Sequence, residues 1–205
     1  MKRYTGKNLD EALKNIASEK NCNIEDITYE VIEEKKHLLG LLNSITIEAY
    51  TSQDIKDFIF EYLGTYFTEL NQAVSIEIIV EDELYKVVLD AENNAIIIGK
   101  GGQTLRAISY VLKAAVSNTF KRRINILVDV GNYKEDRYRK VKHIASRVAK
   151  EVRKTHVDAA LDPMPNDERK VIHQFLSGMP NIKTESEGEG AHRRLVIKYV
   201  ENKEN

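Results

Sequence analysis

The stretch IIIGKGGQTLRAI, residues 96–108, runs three isoleucines into a Gly-Lys-Gly-Gly turn and straight on into a helical pattern. Glycine lets a backbone approach a ligand closely, and a helix N-terminus presents N–H groups that lack intrahelical partners. Such a turn therefore suits phosphate. Two nucleotide pockets share these features, and neither fits. The P-loop pattern puts Asn94 where its first glycine belongs and Gly101 where a Ser or Thr should bind magnesium. The dinucleotide fingerprint G-x-G-x-x-G fails at its third glycine, which is Thr104. What remains is Gly99, Lys100, Gly101 and Gly102. This turn can offer successive N–H groups to a passing sugar-phosphate chain, with a lysine charge beside them. Alone, G-x-x-G is a weak signal, and its surroundings decide.

On the N-terminal side, IKDFIFEYLGTYFTEL repeats apolar residues at helical spacing through Ile55, Phe58, Ile59, Tyr62, Leu63, Tyr66 and Phe67, with Ser52 placed to cap. The broad aromatic stripe reads as core. VSIEIIVED and LYKVVLDAE follow as strands about an acidic turn, then a short helix, the glycine turn, the helix QTLRAISYVLKAAVSNTF and the strand INILVDVG. The segment 52–132 thus has the order helix, strand, strand, helix, turn, helix, strand.

Residues 1–51 read as strand, helix, strand, strand. Leu9, Ala12, Leu13, Ile16 and Ala17 make the helical stripe, and Asn8 is the expected N-cap. The apolar tip KKHLLGLL, where a polar turn is expected, is either a docking surface or a loop folded onto its own core. Residues 133–205 open with a long basic helix whose packing stripe is Tyr138, Val141, Ile144, Ala145, Val148 and Val152. LDPMPND breaks it. A shorter helix, ERKVIHQFLSG, then precedes two strands joined by an acidic glycine-rich turn. The fold class is α+β, in three segments.

The chain has 205 residues, 42% hydrophobic and 31% charged, as in folded globular proteins. Its net charge of −1 conceals a reversal. Residues 1–93 hold 9 Lys+Arg against 19 Asp+Glu, and residues 94–200 hold 21 against 11. The half with the right sign for a polyanion begins beside the glycine turn. A single cysteine, Cys22, and five scattered histidines offer no disulfide and no zinc spacing. With no apolar leader or membrane-length segment, they point to a cytoplasmic protein without cofactor or metal. A hydrolase reading finds no nucleophile–base pair or carboxylate metal cluster, so no catalytic residue is expected.

Residues 52–132 resemble a type II K-homology (KH) domain, with order αββααβ and IIIGKGG as its GXXG loop. That resemblance implies a backbone clamp at Gly99, Lys100, Gly101 and Gly102. It makes Ile97 and Ile98 candidates for the floor of a base-binding groove, although both could equally be core. A purely structural KH unit is the alternative. In ERKVIH, Arg169 and His173 lie four apart on one helical face. By themselves such a pair is more often a solvated face. Residues 133–205, however, resemble the R3H domain with its Arg-x-x-x-His pair, which implies single-strand nucleic-acid contacts at Arg169 and His173, extended by Arg193 and Arg194.

Together with the βαββ front segment, the whole chain resembles the Jag family, also called KhpB. The resemblance implies a cytoplasmic, non-catalytic protein that binds single-stranded RNA, or single-stranded DNA, and acts as an RNA chaperone or post-transcriptional regulator. It also implies a link to cell shape and envelope homeostasis, a small KH-protein partner (KhpA), and association with the membrane insertase SpoIIIJ/YidC. A scaffold at that insertase or the ribosome is the rival reading. Homo-oligomerisation stays open. The family's front loop often reads Lys-Gly-Phe-Leu-Gly, from which KKHLLGLL departs at His37 and Leu38.

Overall fold

The strand Lys2–Gly6 (β1) is followed by the helix Leu9–Lys20 (α1), whose first turn is closed by Asn8 as expected: its side chain accepts the Glu11 N–H at 2.8 Å. Two longer strands, Ile27–Lys35 (β2) and Ser44–Thr51 (β3), complete an antiparallel sheet of order β1-β3-β2. Period-two alternation sends Ile45, Ile47 and Ala49 of β3 towards α1, where they bury Ala12, Leu13 and Ile16. The computed structural model describes residues 1–35 and 43–201, so KKHLLGLL from Lys36 onward lies outside the described residues.

β3 passes without a break into the helix Ser52–Glu69 (α2). Thr51, not Ser52, is the N-cap: Thr51 and Asp54 form a reciprocal capping box. Ser52 is the first helical residue, and its hydroxyl accepts from Tyr85 at 2.8 Å. Next come the strands Val74–Glu81 (β4) and Leu84–Ala91 (β5), the short helix Asn94–Ile98 (α3), the helix Gln103–Phe120 (α4) and the strand Asn125–Val130 (β6). β4 pairs antiparallel with β5, and β5 pairs parallel with β6. Ile55, Ile59, Leu63 and Phe67 of α2 are buried, as are Leu105, Ile108, Leu112, Val116 and Phe120 of α4, Tyr85, Val87 and Leu89 of β5 and Ile126, Val128 and Val130 of β6. Phe58 and Tyr62 are half-buried and Tyr66 is exposed, so the aromatic stripe is wider than the face α2 buries.

The first unit, Met1–Gly131, holds both sheets. Three links tie the front sheet to the KH-like portion. Lys20 pairs with Asp54 at 2.5 Å, Lys121 with Glu48 at 2.6 Å, and the Tyr50 ring meets the Phe120 ring edge-on at 4.9 Å. Lys121 and Arg3 both donate to Glu48, and they hold its carboxyl below the usual carboxylate range.

The second unit, Asn132–Asn205, consists of the helix Tyr133–Thr155 (α5), the two-residue strand Ala159–Ala160 (β7), the helix Asn166–Leu176 (α6) and the strands Ile182–Glu187 (β8) and Arg194–Tyr199 (β9). Its sheet is antiparallel, in the order β7-β9-β8. The core joins Val141, Ala145, Ala149 and Val152 of α5 to Ile172 and Leu176 of α6 and to Ile182, Leu195 and Ile197. The buried line steps by four, four and three residues, which centres α5 on alanines. This leaves Ile144 exposed and Val148 half-buried, unlike the expected stripe.

Asp54 gathers three donors: the Thr51 N–H at 2.6 Å, the Thr51 hydroxyl at 2.8 Å and the Lys20 ammonium. Partial burial opposes its ionisation, yet these bonds win and hold the carboxyl below its ordinary range. A depressed folded-state pKa stabilises the fold above the unfolded carboxylate value of about 4, and that contribution disappears as the pH falls through the folded value. Asp54→Ala should cost about 1–2 kcal/mol in urea unfolding at pH 7. The gap between variant and parent should narrow on acidification; equal stability at pH 7 would show that the box contributes nothing.

Candidate nucleic-acid interface

α3 is fixed to the end of β5 by Asn94. Its amide donates to Asp90 at 2.7 Å, and its carbonyl oxygen accepts the Ala91 N–H at 2.9 Å. Five residues later the chain reverses through three glycines with positive φ: Gly99 at 68°, Gly101 at 56° and Gly102 at 76°. Gly99 combines φ 68° with ψ 178°, a region open essentially to glycine alone. A Cβ built there would lie 2.1 Å from the Thr104 hydroxyl oxygen, so the residue is also sterically required. Gly101 differs. A Cβ there meets nothing within 4 Å, and the residue is exposed.

The turn's internal bonds join Gly102 N–H to Gly99 O at 3.1 Å and Gln103 N–H to Lys100 O. Among the described residues, the N–H groups of Lys100 and Gly101 donate to no acceptor. Lys100 is exposed, α4 begins at Gly102 without a side-chain cap, and no acidic residue stands in its first turn. Unused donors, a lysine and the positive end of an 18-residue helix dipole therefore converge on one exposed edge. Arg106, absent from the sequence-based site, donates from Nη1 to Gly101 O at 2.7 Å. It braces the turn and adds a second cation. An arginine in the first turn after a glycine loop was the available signal.

The isoleucines preceding the turn divide. Ile97 is 2% exposed and belongs to the core, the second of the two readings open for it: on the five-residue helix its side chain points inward. Ile98 is half-buried beside the turn, and Ile96 is 53% exposed.

The second site is built from side chains. A four-residue helical step rises about 6.0 Å and a two-residue strand step about 6.6 Å, so a residue pair on one can register with a pair on the other. Arg169 and His173 of α6 do so with Ser186 and Thr184 of β8. Arg169 Nη1 donates to Ser186 Oγ at 3.0 Å, and His173 Nδ1 lies 2.5 Å from Thr184 Oγ1. Arg169 also donates to Met164 O at 3.3 Å and to Asn166 Oδ1 at 3.2 Å, and it is 7% exposed. The arginine expected as a nucleic-acid contact is thus largely buried. Its guanidinium is engaged within the domain, holding the start of α6 against β8. Beside it the buried Glu168 accepts a bidentate pair from Arg137 at 3.0 and 2.9 Å. His173, Arg193 and Arg194 are exposed, with Arg194 opposite Glu187 across the strand pair. Thr184 and Ser186 were not anticipated, although the alternation in IKTESE places both on one strand face.

Cys22 is half-buried against the first core. Among the described residues, no helix is long and apolar enough to cross a membrane.

Three family models match the chain in succession: the Jag N-terminus over residues 4–51, the KhpA/KhpB KH domain over 56–128 and the R3H domain over 139–199. RNA-binding protein KhpB of Bacillus subtilis is 32% identical over 199 residues, covering 95% of this chain and 96% of that protein. The protein of the same name from Clostridium symbiosum is 29% identical over 201 residues, covering 96% and 90%. That of Lactiplantibacillus plantarum is 30% identical over 137 residues, 67% of this chain and 42% of the relative.

The geometry separates residues that shape these sites from residues free to act. Gly99→Ala should destabilise the first unit by about 1–3 kcal/mol through backbone strain, with the Thr104 clash added. Gly101→Ala should cost about 1–2 kcal/mol at most. Arg169→Ala should cost about 1–3 kcal/mol by leaving the acceptors around it unpaired. Urea titrations of the three variants check the order, and an Arg169→Ala protein as stable as its parent would return that arginine to the role of a free contact.

Proposed function

This chain belongs to the KhpB family of RNA-binding proteins, and on that footing we propose that it binds single-stranded RNA through the Gly99–Gly102 turn. In this reading it is a non-catalytic cytoplasmic RNA chaperone or post-transcriptional regulator. The observation that carries the reading is the edge where two unused N–H groups, Lys100 and the uncapped start of α4 converge. A phosphate of a passing strand accepts from Lys100 N–H or Gly101 N–H, and the Lys100 ammonium supplies a point charge. Because the donors are backbone groups, the grip is indifferent to base identity, and specificity is low. Ile98 offers an apolar contact to an unstacked base beside the turn.

In the second unit His173 is the proposed direct contact, since its exposed ring can stack on a base or hydrogen-bond to phosphate. Arg193 and Arg194 add charge nearby in sequence. Arg169 is proposed as a positioning residue that sets α6 on β8. Two modest sites on one chain raise affinity when both engage one strand, and effective concentration sets the gain.

Replacing Lys100 and Gly101 by aspartates adds repulsion where the phosphate would sit while leaving Gly99 and Gly102 to shape the turn. Affinity for an unpaired 12-nucleotide RNA should fall roughly tenfold or more at about 0.1 M salt, and the parent's affinity should fall steeply with added salt. Fluorescence anisotropy gives the affinities and a melting curve checks the fold. Parent-like affinity in the folded double variant would remove the turn from the binding site.

A further inference from the structure

α5 carries its basic residues in two ways. In the first turns they are neutralised: Arg137 pairs with Glu168, and Arg139 lies 3.4 Å from both Glu135 and Asp136. From Lys140 onward they are not. Lys140, His143, Arg147, Lys150 and Lys154 follow one another at steps of three, four, three and four residues, so they form a single row along the helix. All five are exposed, and among the described residues none makes an ion pair or side-chain hydrogen bond. Glu151 flanks the row beyond ion-pair distance. The fourteen helical rises from Lys140 to Lys154 span about 21 Å, which gives four full cations in a straight, rigid line. A favourable helix-dipole interaction accounts for Lys154 in the last turn, but not for Lys140 or Arg147 in the interior.

The row's surroundings select its ligand. The tyrosines of α5, Tyr133 and Tyr138, both precede it, so within the row only the His143 ring can stack and no tyrosine, phenylalanine or tryptophan stands there. Unpaired strands are commonly held by stacking bases on such rings, whereas duplex RNA is held by its phosphates and sugar hydroxyls. A rigid row also meets a rigid duplex without ordering a flexible strand. An anionic membrane fits less well. The apolar face of α5 is spent on the core through Val141, Ala145, Ala149 and Val152, and Ile144 is the large apolar residue left exposed beside the row.

We propose that this row is a separate RNA site that takes the sugar-phosphate backbone of paired segments, distinct from the glycine turn that takes unpaired ones. The inference rests on the reading that RNA is the ligand, but not on the turn being the clamp.

The test uses the full chain, the variant K140Q/R147Q/K154Q and the variant K100D/G101D. Each is titrated with a 16-base-pair RNA duplex, an unpaired 12-nucleotide RNA and phosphatidylglycerol vesicles, after circular dichroism has verified the fold. The triple variant should bind duplex roughly tenfold or more weakly, its log–log salt slope should drop by about 2–3, and unpaired-RNA affinity should change by less than about threefold. The turn variant should keep its duplex affinity. Undiminished duplex binding by the triple variant overturns the inference, as does equal loss for both RNAs or a loss confined to vesicles. A parent chain that binds unpaired RNA but not duplex overturns it while leaving the RNA reading intact; one that binds neither RNA overturns both.

Discussion

β5 and β6 run parallel, from Leu84 paired with Asn125 to Leu89 paired with Val130. Parallel neighbours cannot be joined by a hairpin; the chain must cross the sheet and return to the starting end. Here the crossover is α3, the glycine turn and α4. α4 is long enough to bury five apolar residues, while the five-residue α3 buries Ile97 alone. The turn between them is therefore held at the edge of a packed layer by helices it cannot pull away from. Three positive-φ glycines carry the chain from one helix to the next, and the N–H groups of Lys100 and Gly101 are left without an acceptor among the described residues. Parallel pairing thus places the exposed turn, and the chemistry of the turn follows from a lack of side chains.

The second unit reaches an exposed surface by the opposite route. Its i, i+4 pair on α6 meets an i, i+2 pair on β8, so hydrogen-bonding side chains fix the angle between helix and strand. Buried polar groups need partners, and Arg169 and Glu168 have them. The Arg-x-x-x-His pattern is then as much a fold signature as a binding signature. Arginine locks the joint, and histidine, one turn along, remains at the surface. A backbone-built turn and a side-chain-built joint in one chain give different sensitivities: the first depends on glycine conformation, the second on complete hydrogen bonding.

Period and punctuation made the element order readable. Alternation marked β2 and β3, helical spacing marked α1, α2 and α4, and the capping chemistry of Asn8 was right to the residue. The start of α2 was misread by one position because Thr51 and Ser52 are both good caps; only the reciprocal bond with Asp54 distinguishes them. Burial was harder to read. Three consecutive isoleucines carry no periodicity that says Ile97 faces inward and Ile96 outward, and a five-residue helix gives too few turns to average over. The i, i+4 spacing of Arg169 and His173 put both on one face but could not reveal that β8 covers that face at one end. On α5 the mixed apolar residues hid the alanine-centred seam, so Ile144 was assigned to the core it does not join. The conformation that makes Gly99 indispensable has no sequence signal beyond the glycine itself.

The central claim is that the turn between α3 and α4 is where this chain meets RNA. Amide chemical-shift mapping on the isotope-labelled chain during titration with a short unpaired RNA addresses it most directly, since each backbone N–H reports separately. The account predicts that the largest shifts fall on Lys100 and Gly101 and continue through Gly102 and Gln103. It also predicts that the core amides of Ile97 and Leu112 stay nearly fixed. Saturating RNA that leaves the 99–103 amides in place while others move would contradict it.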